Sequence, residues 1–182
     1  MAEPYLVVVD MQNDFVDGSL GTKEAQGIVS KTVEKASGFP GKVLFTQDTH
    51  GADYLNTQEG KMLPVEHCIK ESEGWRIIPQ LKAVWENGKC PVFEKDTFGS
   101  VELARFLQRK YQENEVESVE LVGLCTDICV ISNALLLKAY MPQLPVFVDA
   151  SCCAGVSPEK HEAALATMES CQIILKNREE KQ

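Results

Sequence analysis

A cysteine at the start of a predicted helix is the clearest sign of chemistry in this sequence. The segment from Gly123 to Cys129 runs from the end of an apolar strand into a helix that begins near Asp127. Cys129 would lie in the first turn, where backbone N–H groups and the helix dipole favour a thiolate and can hold an oxyanion. Cys125 is the rival nucleophile and ranks second, because it falls in the preceding turn. A cysteine can also lie at a helix start by chance, so the structural alternative stays open.

Two charged residues follow apolar strands in a similar way. Asp10 comes directly after the run that ends at Val9, and Lys95 comes after 91–94. Asp10 could serve as the base for a thiol, and Lys95 could balance the negative charge beside it. The alternatives are an aspartate that caps a loop and a solvated surface lysine. A nucleophile, a proton acceptor and an electrostatic partner would together make a hydrolytic site.

The segment 47–75 contains a mixed set of possible metal ligands. Asp48 and His50 are followed by Glu59 and His67, and two of the three histidines of the chain lie here. Such a set suits a divalent ion such as Zn, Mn or Fe. Asp48 and His50 in capping or turn roles would account for this spacing about as often as metal binding does. Cys68 is left out of the set, because neighbours in an extended chain point to opposite faces.

Several other residues carry weaker signals. Phe15, Phe98 and Trp75 lie near the same strand ends, either as core residues or as pocket walls for a flat ring. His161 falls on the apolar face of its helix and is interpreted as a core or rim histidine. The adjacent Cys152 and Cys153 are interpreted as packed thiols, since adjacent cysteines rarely form a disulfide.

An α/β fold has to position these residues. Strands are expected at 5–9, 43–46, 91–94, 119–124, 146–148 and 172–175, and helices at 23–37, 77–86, 100–111 and 127–140 and from Pro158. The alternation predicts a six-stranded, mostly parallel sheet with helices on both faces. Ligands then bind beyond the carboxyl ends of the strands, where Asp149 to Cys153 are also expected. Residues 47–75 are predicted to form a long irregular loop, a feature that is usually functional.

Composition narrows the class of protein. The chain has 182 residues, a net charge of -9 and 44% hydrophobic residues, which predicts one domain over 1–182 with a polar tail from 176. The acidic balance argues against nucleic acid and anionic membranes as partners. No apolar run approaches a membrane span and the N-terminus lacks the features of a signal peptide, so a cytoplasmic location is expected. The seven cysteines are an odd number and are interpreted as buried hydrophobes.

Three of these segments together resemble the isochorismatase-like cysteine hydrolases. They are the run from Asp10 to Phe15, the residue Lys95, and the run Gly123-Leu-Cys-Thr-Asp-Ile-Cys129-Val. The resemblance covers about residues 5–175. Within that family, Asp48, His50, Glu59 and His67 are similar to the metal set of the nicotinamidases (pyrazinamidases). The metal-free branches are not expected to carry this set.

The resemblance implies a role for each matched position. Cys129 would be the nucleophile, Asp10 the base and Lys95 the third member of the catalytic set. Asp48, His50, Glu59 and His67 would hold one divalent ion, with zinc expected first. A cis peptide at Leu124–Cys125 would turn the N–H groups of Cys125 and Cys129 toward one oxyanion. Phe15 and Phe98 would be pocket aromatics. Cys125 departs from the alanine that is usual in the family and adds a second thiol.

The activity that follows is hydrolysis of nicotinamide to nicotinate and ammonia through a thioester, a step of NAD salvage. A small carboxamide is the expected partner, and a homo-oligomer is expected from the resemblance. Two alternatives stay open. One is an amidase of the same family that acts on an N-carbamoyl or ureido substrate. The other is a binding protein that keeps the fold without the activity, which an intact set of Cys, Asp and Lys disfavours.

Overall fold

A computed structural model describes residues 1–178 and shows the predicted sheet. The strands are β1 (Glu3–Val9), β2 (Lys42–Asp48), β3 (Val92–Lys95), β4 (Val116–Leu124), β5 (Val146–Ala154) and β6 (Ile174–Lys176). They form one six-stranded sheet in the order β3-β2-β1-β4-β5-β6. Every pair of neighbouring strands in it is parallel. The predicted parallel α/β fold is therefore confirmed.

Seven α-helices are found within the described residues. They are α1 (Asn13–Val16), α2 (Lys23–Gly38), α3 (Gln58–Met62), α4 (Lys82–Asn87), α5 (Val101–Gln112), α6 (Ile131–Tyr140) and α7 (Pro158–Ser170). The predicted N-caps of α5 and α7 are confirmed. The Ser100 hydroxyl accepts a hydrogen bond from the N–H of Leu103, and the Ser157 hydroxyl accepts one from Lys160. These bonds satisfy donors that a helix start leaves free.

Two apolar cores lie on opposite faces of the sheet. Val7 and Val9 of β1 belong to the core under α5, α6 and α7. Leu6 and Val8 point the other way, into the core under α2. Because successive side chains of a strand alternate between faces, a central strand covered on both sides has to be apolar throughout. This explains the unbroken run at the start of the chain and confirms that helices cover both faces.

The strand order creates a crevice at the centre of the sheet. From β1 the chain proceeds outward through β2 to β3, and it then returns to the other side of β1 with β4. Such a reversal leaves a gap between the carboxyl ends of the two central strands. Asp10 follows β1 and Cys125 follows β4, so the fold brings these distant segments to the same place.

Several predicted element bounds are wrong. The helix expected at 77–86 is split into a 3-10 turn (Pro79–Leu81) and α4, because Ile77 instead forms an antiparallel bridge with Gln12. The helix expected at 127–140 begins with a π-helical turn (Thr126–Val130) before α6. The loop 47–75 contains α3 and a 3-10 turn at Tyr54–Asn56.

The structure also moves the ends of two strands. β5 continues to Ala154, so Asp149 to Cys153 lie inside the strand and not beyond it, next to a register shift in β4 between Leu121 and Gly123. Lys176 ends β6, and its Nζ lies 2.6 Å from Glu120 Oε2, so the expected polar tail begins later. The rest of that tail, from residue 179, lies outside the described residues. Among residues 1–178 there is no helix of the length and apolarity needed to cross a bilayer.

Candidate active site

Asp10 is fully buried at the carboxyl end of β1 and is held by Thr46. The Thr46 hydroxyl donates to Asp10 Oδ1 at 2.7 Å, and the Asp10 N–H contacts the same hydroxyl at 3.2 Å. The φ angle of Asp10 is +47°, in the left-handed region that non-glycine residues seldom adopt. Such a conformation persists only where the surroundings impose it, often at functional sites. Burial raises the pKa of the Asp10 carboxyl, while the charge of Lys95 opposes the shift.

Lys95 is the last residue of β3 and reaches into the crevice. Its Nζ lies 2.7 Å from Asp10 Oδ2, 3.2 Å from Asp48 Oδ1 and 3.4 Å from Cys129 Sγ. Burial alone would lower the pKa of this amine, but the charges of Asp10, Cys129 and Asp48 outweigh burial and raise it. The contacts with two carboxylates thus favour the cationic form of Lys95 beside the sulfur.

Cys129 lies in the π-helical turn that joins β4 to α6. We call residues 125–130 the thiol turn. The Cys129 side chain is buried, and its Sγ contacts the same Lys95 amine that lies 2.7 Å from Asp10 Oδ2. Burial, followed by the nearby carboxylate of Asp10, raises the pKa of the Cys129 thiol well above its ordinary value. The start of a helix alone would favour a thiolate, whereas this thiol needs a base. The peptide bond between Leu124 and Cys125 is cis, as the family resemblance implies.

Asp48 connects this group of residues to the imidazoles of the following loop. Its Oδ2 lies 3.0 Å from His50 Nε2, on the side away from Lys95. Burial opposes the charged form of Asp48, but the hydrogen bond from His50 and the charge of Lys95 lower its pKa. The fully buried Gln12 holds the backbone of Asp48 from both sides, since its amide accepts from the Asp48 N–H at 2.7 Å and donates to the Asp48 carbonyl at 2.8 Å.

The predicted metal ligands lie together. Ligand atoms of Asp48, His50 and His67 all lie within 4.8 Å of one another, and the three residues are buried. Glu59 Oε1 approaches His50 Nε2 at 3.8 Å and His67 Nε2 at 3.7 Å. Two atoms that each bind one zinc ion at about 2.0–2.2 Å are no more than about 4.4 Å apart. The distances from Asp48 Oδ2 and Glu59 Oε1 to the two imidazoles, 3.0–3.8 Å, lie within that limit and fit one ion.

The orientation of His67 supports this fit. Its Nδ1 lies 2.8 Å from the Val65 carbonyl oxygen, which can only accept a hydrogen bond. Nδ1 is therefore the donor in this bond, and Nε2 is the ring nitrogen that faces Asp48 and Glu59. Histidines that bind metals are commonly oriented in this way by a carbonyl or carboxylate.

A cavity of about 530 Å³ opens over these groups. Cys129 and Cys125 line it together with Asp48, Glu59 and His67, and its other walls are mainly apolar. They include Phe15 and Phe98, as expected from the sequence, and also Leu20, Met62, Leu63 and Ile128, which the sequence did not single out. Trp75 lines a different cavity, so of the two alternatives left open for it, a wall of this pocket does not apply. The cavity can hold a flat ring against a polar floor.

The sequence interpretation missed Gln12 and Thr46. A polar residue beside a strand end usually indicates a turn or a surface position, and only the packing of β1 against β2 buries these two. His161 is half-buried, as expected of a rim histidine, and its Nδ1 lies 2.7 Å from the hydroxyl of Thr126 in the thiol turn.

The remaining cysteines take no part in this site. All seven cysteines are free, so the expectation of unpaired thiols is confirmed. Cys68 is buried, and its N–H donates to Asp14 Oδ2 at 2.7 Å. Cys152 and Cys153 are packed thiols within β5. Cys171 is exposed, so it is not the buried hydrophobe that was expected.

Comparisons with known proteins agree with this geometry. The chain is 28% identical to an isochorismatase family protein of Bacillus subtilis, with 88% of this chain and 91% of that protein covered. It is 27% identical to the nicotinamidase of Escherichia coli, with 90% and 89% covered. The crystal structure of a pyrazinamidase from Pyrococcus horikoshii in complex with zinc superposes with a TM-score of 0.80 at 26% identity, over 97% of this chain and 99% of that one.

A nicotinamidase/pyrazinamidase structure from Bacillus subtilis superposes with a TM-score of 0.83 at 27% identity, over 97% of this chain and all of that one. The family model of the isochorismatase domain matches residues 4–179, which is nearly the whole chain. The shared fold, the matched length and the crevice between β1 and β4 lead to one conclusion. The chain belongs to the isochorismatase family.

Proposed function

We propose that this protein hydrolyses a small aromatic carboxamide, nicotinamide in the first place, to the carboxylic acid and ammonia through a thioester on Cys129. The observation that carries the proposal is the contact of Cys129 Sγ with Lys95 Nζ at 3.4 Å, while the same amine lies 2.7 Å from Asp10 Oδ2. The similarity to proteins named nicotinamidase supports this choice of substrate.

The first half of the reaction follows from the positions of the three side chains. Asp10 accepts the thiol proton, and the sulfur of Cys129 attacks the carboxamide carbon to form a C–S bond. The backbone N–H groups of Cys125 and Cys129 stabilise the oxyanion that forms, a type of contact worth about 2.7–4 kcal/mol. When the tetrahedral intermediate collapses, the C–N bond breaks and Asp10 returns the proton to the leaving ammonia.

The second half regenerates the thiol. A water molecule loses a proton to Asp10 and attacks the thioester carbon. The C–S bond then breaks, Asp10 returns the proton to the sulfur of Cys129, and the acid is released. Lys95 keeps its positive charge throughout and offsets the negative charge that moves between Asp10, the sulfur and the oxyanion. The raised pKa of Asp10 makes this carboxyl a stronger base than an exposed aspartate, which suits its repeated use as a proton carrier.

We propose that Asp48, His50 and His67, with Glu59, hold one divalent ion, with zinc as the first candidate. When bound, the ion would supply a Lewis-acidic position for a ring nitrogen of the substrate. Phe15 and Phe98 would contact the faces of the ring, and the carboxamide would then point at Cys129. Fixing the orientation of a reactant in this way can contribute several kcal/mol to catalysis.

Release of ammonia from nicotinamide, measured beside a panel of other carboxamides and an N-carbamoyl amine, tests the proposal. We expect the highest kcat/KM with nicotinamide or a close heteroaromatic carboxamide. We also expect a chelator to remove a stoichiometric ion together with the activity. Hydrolysis of the N-carbamoyl substrate alone, without any need for metal, would move the protein to another branch of the family. A homo-oligomeric state, a cytoplasmic location and a role in NAD salvage stay predictions.

A further inference from the structure

We propose that His161 is a positioning residue for the thiol turn, which it holds in place through Thr126. The inference rests on the proposed function in one respect, since it takes Cys129 as the nucleophile. His161 belongs to α7, far from the thiol turn in sequence, and it does not line the cavity that contains Cys129. It would therefore act on the reaction only through the backbone that carries the thiol.

The contact itself is short and sheltered. His161 Nδ1 lies 2.7 Å from Thr126 Oγ1, and Thr126 is fully buried. A hydroxyl with no access to water depends on this one imidazole for its hydrogen bond within the described structure, and removal of the partner would leave it unsatisfied. Thr126 directly follows Cys125, whose N–H is a proposed oxyanion donor. A shift of Thr126 would therefore also tilt the donor.

The thiol turn needs external support because its own start is poorly capped. Cys125 precedes the π-helical turn as N-cap residue, and no side chain caps the free N–H groups there. The N–H groups of Ile128 and Val130 both bond to the Cys125 carbonyl, at 3.0 and 3.1 Å, which is the wide pattern of a π turn. Most helix starts are secured by a Ser, Thr, Asp or Asn side chain, and this one lacks that support.

Contacts from the segment 155–161 hold the thiol turn through its side chains. Besides the bond from His161, the Asp127 carboxylate accepts a hydrogen bond from the N–H of Val156 at 3.0 Å. At Gly155, an added Cβ would lie 2.8 Å from the backbone nitrogen of His161 and 2.9 Å from Asp127 Oδ1. Only a glycine therefore lets the chain at 155 pass this close to α7 and to the thiol turn. Two successive residues of the thiol turn are thus tied to one segment.

The opposite end of the thiol turn is held independently. The Asn133 side chain donates to the Cys129 carbonyl at 2.8 Å and accepts from the N–H of Ser100 at 2.9 Å. Loss of His161 would therefore loosen the Cys125 end, where the bond between Asp127 and Val156 would remain, while the Cys129 end stays attached to α6. The expected defect is a misplaced oxyanion donor, and misplacement of about 1 Å can cost on the order of 100-fold in rate.

A double-mutant cycle tests this inference. We would measure kcat and KM for nicotinamide in Thr126→Val, His161→Ala and the double variant. Each single change should lower kcat by about 10–100-fold, with KM changed by less than about twofold, and the double variant should be no worse than the poorer single variant. Thr126→Ser keeps the hydroxyl and should retain most of the wild-type kcat.

Thr167→Val is the matched control on the same helix. The hydroxyl of Thr167 is exposed and bonds to the Ala163 carbonyl within α7, so this substitution should leave kcat unchanged. The melting temperature of each variant shows whether a loss of kcat follows a loss of folded protein. If His161→Ala fails to fold, His161→Asn replaces it as a milder change. The kcat of His161→Asn should then be lower than that of Thr126→Ser, which keeps the hydroxyl.

Three results would overturn the inference. They are losses of kcat that add in the double variant, a change in KM with kcat unchanged, and a kcat of Thr126→Val equal to that of the wild type. If the wild-type protein hydrolyses no carboxamide, the proposed function fails on its own. The rate at which iodoacetamide alkylates Cys125, which lies at the end that His161 holds, then tests the positioning by mass spectrometry in a Cys129→Ala background. An alkylation rate unaffected by His161→Ala would reject it.

Discussion

Asp48 and Lys95 are opposite residues in the parallel ladder between β2 and β3, and their side chains meet at 3.2 Å on the site side of the sheet. The second carboxylate oxygen of Asp48 lies 3.0 Å from His50. One carboxylate thus contacts both the lysine beside the thiol and the cluster of possible metal ligands. The thiol side and the metal side of the proposed site share this side chain, so a substitution of Asp48 would alter the contacts of both.

Substitution of Cys129 by alanine should abolish the release of ammonia, because within residues 1–178 no other thiol contacts Lys95. Zinc content should not change, since Cys129 is not among the proposed ligands. The measurement is ammonia release together with metal analysis of the purified variant. Cys171→Ala, at an exposed cysteine, is the matched control and should retain full activity. Activity retained by Cys129→Ala would place the nucleophile elsewhere, with Cys125 the first to be tested.

Substitution of Asp48 by asparagine should weaken zinc binding. The amide keeps the size of the side chain but loses the charge that balances the ion. We expect a loss of affinity at least as large as the roughly 10–100-fold that removal of an outer hydrogen-bond partner costs. Competition with a chromogenic chelator gives the affinity. Asp53→Asn, at an exposed acid of the same loop, should bind zinc like the wild type. Equal affinities in the two variants would remove Asp48 from the ligand set.

Stability at low pH should depend on Asp149. Burial opposes the charged form of Asp149, but hydrogen bonds from Lys35, Ser151 and Asn177 lower its pKa below the ordinary value. A carboxyl with a lowered folded pKa stabilises the fold above its unfolded pKa of about 3.9, and this contribution is lost as the pH falls through the folded pKa.

Asp149→Asn should therefore lower the free energy of unfolding at pH 7 and flatten its dependence on pH below about 4. Urea unfolding at a series of pH values measures both effects. Glu117→Gln, at an exposed carboxylate of β4, should leave the slope close to that of the wild type. If Asp149→Asn keeps the full wild-type slope, the acid sensitivity of the fold arises from other carboxylates.

Alanine should have opposite effects at two glycines. Gly123 has a φ angle of +114°, and an added Cβ would lie 2.1 Å from the Val9 carbonyl oxygen, so Gly123→Ala should destabilise the fold by more than about 1 kcal/mol. Gly27 lies within α2 with open space around its Cα. Gly27→Ala should stabilise by about 0.5–1 kcal/mol, because alanine loses less backbone entropy in a helix. Denaturant midpoints that shift in the same direction for both would contradict this account.

Much of the fold could be predicted because its signals are local. The N-caps at Ser100 and Ser157 are recognised from residue type, and the apolar runs give all six strands. The thiol turn could not be assigned in the same way. Its apolar residues run on into α6 without a break, and residue spacing does not distinguish the wider hydrogen bonding of a π turn from that of an α-helix.

The part of the candidate site that could be predicted consists of reactive or charged residues that follow apolar strands. Asp10, Lys95 and Cys129 meet as expected, whereas Gln12 and Thr46 gain their positions from packing between β1 and β2. A buried glutamine that bonds to the backbone of a neighbouring strand has no signature in the sequence, since its partner is 36 residues away. Tertiary contact alone identifies such residues.

The placement of Lys95 on β3 links the chemistry to an edge of the sheet. This strand has only four residues and pairs with β2 alone, at the margin of the sheet. Marginal strands detach at a lower free energy than central ones, while the rest of a molecule stays folded. A detached β3 would carry the amine away from the sulfur and leave two buried acids without their cation. Local opening of β3 would therefore be enough to inactivate a molecule that is otherwise folded.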